Sequence, residues 1–466
     1  MIRLALTILL AVCPVVATAQ TAPLTLDEVL RSSARAAPQI VEALARVRQA
    51  EGRALSAEGA FDTVFEIDVR SRVAGYYDGS VVDARTTRPL AGNGGYVYGG
   101  FRASRGTFPI YEDQAYTNRI GEAKVGALFA LLRDRVVDER RTRRSVAGAD
   151  IEIARFEAEM VTIGVQRRAV DAYQNWVAAG LRLRAYGDLL ALAERRRGAI
   201  ARQVTLGARP AMLLTENDQN LVRRRALAAR AEQDFVAAAN ALSLYLRDDA
   251  GAPIQVTAER VPTGAPDALA GPASAASPGA ATRRPDLRAV LARIDQSTAR
   301  LALAENDLSP RFDLRGEVGK DFGPVGLGGT TRTPLEAAIG FRFSVPLQNR
   351  AAKGRVAEAR AEIDALAQRR RFLADQIAVE VQGVVIAVDG AERLAALATE
   401  ERGLADRLAS AERRRFELGS GDFFLVNQRE ETATDAQVRL IDALARIASA
   451  RAELAAATAD RKALGL

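Results

Sequence analysis

Residues 64–73 read Val-Phe-Glu-Ile-Asp-Val-Arg-Ser-Arg-Val, and their side chains sort by twos. Phe65, Ile67, Val69 and Val73 take one face of an extended chain, while Glu66, Asp68, Arg70 and Arg72 take the other. That alternation marks a strand with one apolar side and one charged side. It recurs downstream, where Phe312, Leu314 and Val318 alternate with Asp313, Arg315 and Glu317. A return strand is expected for each, through Ala123, Val125, Ala127 and Phe129 in the first case and Ile339, Phe341, Phe343 and Val345 in the second. Four strands per chain follow. The connections, Gly75 to Asn118 and Gly319 to Pro334, are rich in Gly, and Tyr96 to Arg102 is a candidate for an additional strand.

The strands belong to a larger duplication. Pro38, Leu44, Ala45, Arg46, Arg53, Glu58 and Phe65 recur 247 positions later as Pro285, Leu291, Ala292, Arg293, Arg300, Glu305 and Phe312. Further on the offset falls to 212, where Leu206, Gly207 and Leu213 match Leu418, Gly419 and Leu425, so the first copy holds the longer loop. Residues 250–282 are rich in Pro, Gly, Ala and Ser, the composition of a linker without a core. The expected organisation is a leader at 1–19, a first repeat at 20–249, the linker at 250–282 and a second repeat at 283–466.

Each repeat opens with a helix. Thr25 and Glu28 form a capping-box pattern, Pro38 breaks that segment and starts a second helix toward Glu58, and Asp286 to Asn306 is the counterpart in the second copy. After each return strand comes a much longer helical stretch. Asp138 to Leu206 contains no proline, and Ile153, Phe156, Met160, Ile163, Val170, Tyr173 and Val177 recur at helical steps. Ile363, Leu366, Leu373, Ile377, Val381, Val384, Val388 and Ala391 keep a similar register, close to the 3.5-residue spacing of a coiled coil. Both stretches end at a glycine break, Leu206-Gly207-Ala208-Arg209-Pro210 and Leu418-Gly419-Ser420-Gly421-Asp422, after which a second helix runs back to about Leu246 and Leu464. Such alanine-rich hairpins have little core of their own and need neighbours.

The N-terminus reads as an address. Arg3 precedes an apolar run from Leu4 to Val16, and Ala17, Thr18 and Ala19 form a cleavage site, so export is expected, with lipidation at Cys13 as an alternative. Removing 1–19, whose one charged residue is Arg3, takes the only cysteine and lowers the net charge from +7 to +6. The chain has no histidine, which removes the usual general base and zinc ligand. No catalytic, cofactor or metal site is expected. Arginines interleaved with Glu and Asp, without clustered aromatics, argue against nucleic acid. No mature segment is apolar for long enough to be a transmembrane helix, so a membrane span would have to be a closed barrel, which four strands cannot close alone.

Taken in order, Arg284-Pro285-Asp286-Leu287-Arg288, the helix into Pro310 and Phe312, Ser344-Val345-Pro346-Leu347, and Leu418-Gly419-Ser420-Gly421-Asp422 resemble the TolC-like outer membrane efflux protein family. The resemblance covers essentially the whole mature chain. It implies a mainly α fold with a membrane β-barrel portion: long antiparallel helical hairpins forming a trimeric α-barrel, and four strands per chain in a shared twelve-stranded β-barrel. It further implies a homotrimer in the outer membrane lipid, extending into the periplasm. A periplasmic adaptor protein and an inner-membrane transporter would load cargo, while this chain conducts passively.

The resemblance also assigns the two glycine turns to the periplasmic entrance and adaptor docking. Gly207, Arg209, Pro210 and Leu213 form one turn, and Gly419, Ser420, Gly421, Asp422 and Leu425 the other. Arg413, Arg414, Arg415 and Phe416 are the candidates for a gate, with Asp422 or Glu417 as partners of the arginines. The sequence departs from the family's latch of a hydroxylated aromatic and an arginine, offering Phe416 and Gly421 instead, which calls that latch into question. Two rival readings differ in kind. A soluble periplasmic coiled-coil adaptor would lack the alternating segments, and a secreted carboxylate enzyme would need pairs such as Glu216 with Asp218 or Glu430 with Glu431, which on long helices read as surface acids.

Overall fold

The computed structural model describes residues 22–264, 283–328, 332 and 334–466. The expected leader, Cys13 and the 265–282 part of the linker lie outside the described residues. The Thr25 hydroxyl accepts from the Glu28 N–H at 3.3 Å and starts α1 (Leu26–Ala36), and Pro38 occupies the first turn of α2 (Pro38–Glu58). Four strands follow: β1 (Val64–Ser71), β2 (Ser80–Pro89), β3 (Tyr96–Arg105) and β4 (Gly121–Ala130). Asp138 then caps α3 (Glu139–Thr205), accepting from the N–H groups of Arg140 and Arg141 at 2.8 and 3.1 Å.

The chain turns into α4 (Met212–Leu242), and the later half repeats the plan with α5 (Pro285–Asn306), β5 (Arg311–Phe322), β6 (Glu336–Ser344), α6 (Arg350–Glu417) and α7 (Phe423–Ala457). The return helices stop short of the expected Leu246 and Leu464. Both leucines are buried in turns beyond the helix ends, so their apolar character reflects packing rather than helical periodicity.

The strand count corrects the sequence expectation of four. The described residues form one six-stranded antiparallel sheet in the order β1-β2-β3-β4-β5-β6. The connection Gly75 to Asn118 contains β2, an unexpected strand, and β3, which coincides with the candidate strand Tyr96 to Arg102, so β4 pairs with β3 rather than with β1. Val73 lies beyond β1 and is 97% exposed, and Val345 follows the end of β6. With six strands in each chain, the sum of three chains is no longer twelve.

The helices pack in columns. α3 and α6, at 67 and 68 residues, are each on the order of 100 Å long at 1.5 Å per residue. Near the sheet the lateral order is α2, α3, α5, α6, and toward the far end it is α4, α3, α7, α6. Shorter helices are thus stacked end to end beside two continuous ones. The main core lies halfway along α3, where Val170, Tyr173, Trp176 and Val177 meet Leu24 and Val29 of the N-terminal segment and Phe235 and Leu242 of α4. The Tyr173 hydroxyl donates to the Leu24 carbonyl at 2.9 Å, so this buried aromatic keeps its polar end satisfied.

Candidate functional site

Residue pairing fixes which strand side chains share a face. Arg85 opposes Gly100, Arg102 opposes Glu122, and Lys124 opposes Gly319, which puts most of the charged strand residues on one side, with Arg88, Arg105 and Lys320, all near strand ends, on the other. On that side Arg102 bridges Glu122 at 2.6 Å, Lys124 reaches Glu122 at 2.9 Å and Glu317 at 3.5 Å, and Arg315 reaches Glu317 at 2.9 Å. The Tyr98 hydroxyl donates to Glu317, and the Arg85 guanidinium lies 4.1 Å from the Tyr98 ring centre. The other face carries Phe65, Ile67, Val125, Phe129, Ile339 and Phe341, all at least 41% exposed. An extended surface of that character asks for an apolar environment.

At the opposite end of the molecule the two glycine turns share one geometry. In the first, Gly207 has φ +70°, its N–H bonds the Val204 carbonyl at 3.0 Å, and the Ala208 N–H bonds the Gln203 carbonyl at 2.9 Å. In the second, Gly419 has φ +80°, its N–H bonds Phe416 at 3.0 Å, and the Ser420 N–H bonds Arg415 at 3.0 Å. Each is a Schellman cap, which needs a left-handed residue and hence glycine. Pro210 is exposed at the next corner, where its carbonyl accepts from the Leu213 N–H at 3.2 Å. Leu213 and Leu425 are half-buried in the opening turns of α4 and α7.

Gly421 is required for a different reason. A Cβ there would lie 2.5 Å from the Phe416 nitrogen and 2.8 Å from its Cα, so the turn would have to open. Gly421→Ala is expected to destabilise this end by about 1–3 kcal/mol through overpacking. Gly403→Ala on α6, where a Cβ meets nothing within 4 Å, is expected to stabilise by about 1 kcal/mol through helix propensity. Amide exchange at residues 412–426 reads the difference. Equal protection in the two variants would remove the steric argument.

The structure brings part of the candidate set together. Arg209 from the first turn lies over Phe416 at 5.1 Å, Arg196 approaches the same ring at 5.9 Å, and the Phe423 ring lies 5.9 Å away. The expected partners of the arginine run are different, however. Arg413 bonds Glu430 at 3.3 Å and Arg415 bonds Glu412 at 3.2 Å, rather than Asp422 or Glu417. Arg414 is exposed on the last turn of α6, where its charge complements the helix C-terminus. Asp422 is exposed as the cap residue of α7, and among the described residues its carboxylate makes no ion pair.

Just above the turns lies a buried cluster of which the candidate set contains only Arg413. The Glu430 side chain is 1% exposed and is met by Arg196 of α3, Arg224 of α4 and Arg413 of α6. Asn427 accepts from Arg196 at 3.0 Å and Arg224 at 3.3 Å. Burial pulls the Arg224 guanidinium below its ordinary range, with Glu430 opposing that shift. All four helices of the far end are therefore tied through one carboxylate. The sequence does hold a sign of it: Phe423, Val426, Asn427 and Glu430 fall on one helical face, so the acid stands on the apolar stripe. Reading Glu430 with Glu431 as a surface pair misses that step. Glu431 does face outward, toward Arg223 at 3.4 Å.

Comparisons with known proteins agree with this architecture. Residues 277–460 match the family model described as outer membrane efflux protein. No curated protein matches the chain in sequence. Among solved structures, the CmeC outer membrane channel of Campylobacter jejuni aligns with TM-score 0.61 at 14% identity, covering 93% of this chain and 85% of that one. The outer membrane protein VceC of Vibrio cholerae gives 0.62 at 14% identity, covering 93% and 95%. The open state of the MtrE outer membrane channel of Neisseria gonorrhoeae gives 0.62 at 15% identity, covering 93% and 88%.

The protein thus has the fold of an outer membrane efflux channel. Its likeness to the TolC-like family holds in fold across the described chain and in sequence over residues 277–460. It is a protein of the outer membrane that extends into the periplasm.

Proposed function

We propose that three copies of this chain form the exit duct of a tripartite efflux or type I secretion system. Cargo loaded by an inner-membrane transporter through a periplasmic adaptor passes outward without chemistry at this chain, which acts as a conduit and not as an enzyme. The observation that carries the reading is continuity: a sheet with one apolar and one charged face runs directly into helices on the order of 100 Å long. Such an object suits a lipid-embedded wall standing on a periplasmic conduit. A soluble coiled-coil adaptor has no use for a six-stranded sheet with an apolar outer face.

Self-association is supported by a second stripe. Phe372, Val379 and Ile386 stand at seven-residue steps on α6 and are at least 60% exposed, and Leu397 and Leu404 repeat the step. A seam of that spacing fits a neighbouring helix of another copy. The two glycine turns then form the periplasmic entrance, with Arg209, Phe416 and Asp422 nearest the path and the adaptor.

Purified protein in detergent is expected to be trimeric and to form ion-conducting pores in planar bilayers. A water-soluble monomer without conductance would overturn the reading. Asp422→Ala is expected to reduce cation preference, because it removes an exposed carboxylate from the entrance of each copy. Unchanged conductance and selectivity would take Asp422 out of the path.

A further inference from the structure

We infer that the β2–β3 hairpin is a full member of the membrane wall, so that this chain builds an eighteen-stranded barrel in which β1 pairs with β6 of the neighbouring copy. The inference rests on the trimeric reading above and adds the strand count, the edge contact and the width of the bore.

The hairpin has the dimensions and the faces of a membrane wall. β2 and β3 are ten residues each, the length a tilted strand needs to cross a bilayer. Val82, Ala84, Val97 and Phe101 lie on the apolar side of the sheet, where Arg88 and Arg105 stand only at the strand ends, and Asp83 and Arg102 lie on the charged side, by the registers of β2 with β3 and of β3 with β4. The polar network crosses the insertion without a break. Arg85 of β2 stacks on Tyr98 of β3, which bonds Glu317 of β5, and Arg102 of β3 bridges Glu122 of β4.

Its turn is also seated on the helical part. Arg140 of α3 donates to the Gly94 and Gly95 carbonyls at 2.7 and 3.2 Å, and the Gly94 N–H donates to the Asp134 carbonyl at 2.9 Å. Asn93 exchanges hydrogen bonds with the Ala130 backbone at 2.8 and 2.9 Å. The β2–β3 turn therefore ends at the level where β4 passes into α3, and the hairpin spans the same height as the repeated strands.

Closure then follows from the edges. β1 and β6 are exposed along their whole length, and open strand edges are not tolerated in lipid. Six is even, so β1 and β6 run in opposite directions, and β1 of one copy meets β6 of the next as an antiparallel pair. The circumference agrees as well. Four helix columns per chain give twelve in three copies, a ring of roughly 95–120 Å at axial spacings of about 8–10 Å. Eighteen strands tilted by about 40° give roughly 110 Å, whereas twelve give only about 75 Å. The wider barrel seats on the helical ring without a taper.

Cys13, the chain's only cysteine, lies in the expected leader, so single cysteines introduced into the strands report individual positions. In lipid nanodiscs, Asp83→Cys and Thr87→Cys are expected to react with a membrane-impermeant maleimide at least ten times faster than Ala84→Cys and Val97→Cys. Electron cryo-microscopy of the unaltered protein in the same discs is expected to count eighteen strands. Equal labelling of all four positions, or twelve strands in a conducting trimer, would overturn this inference and leave the channel reading intact. A monomer without conductance would overturn both.

Discussion

Glu430→Ala is expected to loosen the far end of the four-helix part by about 3–5 kcal/mol per chain, the cost of leaving buried charge uncompensated. Three guanidiniums converge on this one carboxylate, and Arg224 among them is fully buried. Removing the carboxylate leaves them with Asn427 and the Leu189 carbonyl, which Arg224 already contacts at 3.2 Å. Amide exchange should accelerate around Arg196, Arg224 and Glu430 while the segment through Tyr173 and Trp176 keeps its protection. Glu430→Gln keeps an acceptor without the charge and should lose less. Arg224→Met should lose least, because it removes a guanidinium whose Nε is buried without a partner and leaves Arg196 and Arg413 on the carboxylate. Unchanged exchange in Glu430→Ala would mean that the cluster does not hold the four helices together.

The second large effect is expected on the opposite end, from charge on the apolar face of the sheet. Val125 stands in the middle of β4, 67% exposed on that face. Arginine at the mid-depth of a membrane strand costs about 2–4 kcal/mol per copy, and the proposed trimer would carry the substitution three times. Val125→Arg should therefore deplete folded protein from the outer membrane fraction. Ala338→Arg is the control, since Ala338 opposes Glu317 on the charged face of the sheet. It should insert normally. Equal insertion of the two variants would contradict the assignment of the faces.

How much of this was legible in the sequence depended on side-chain size. β1 and β6 announce themselves because Phe65, Ile67, Phe341 and Phe343 alternate with polar or small residues. β2 does not, since Val82, Ala84 and Thr86 form its apolar face and Pro89 closes it, a pattern that a loop composition can imitate. Its identity as a strand is fixed by pairing to β1 and β3, which is tertiary information. The long helices were readable to within a residue at Asp138 and Leu206 because a carboxylate cap and a glycine stop are local signals. Arg413 was placed near the right turn but with the wrong partner. Nearness in sequence favoured Asp422 and Glu417, whereas the fold turns Arg413 toward Glu430 on the facing helix.

The position of the main core along α3 has a mechanical consequence. Tyr173 and Trp176 lie near the midpoint of a rod that continues about 50 Å to either side. The same rod is tied again toward its far end, where Arg196 meets Glu430, and it runs unbroken between the two ties. A sideways push at the glycine turns is therefore taken up between Trp176 and Arg196 by bending rather than at a joint.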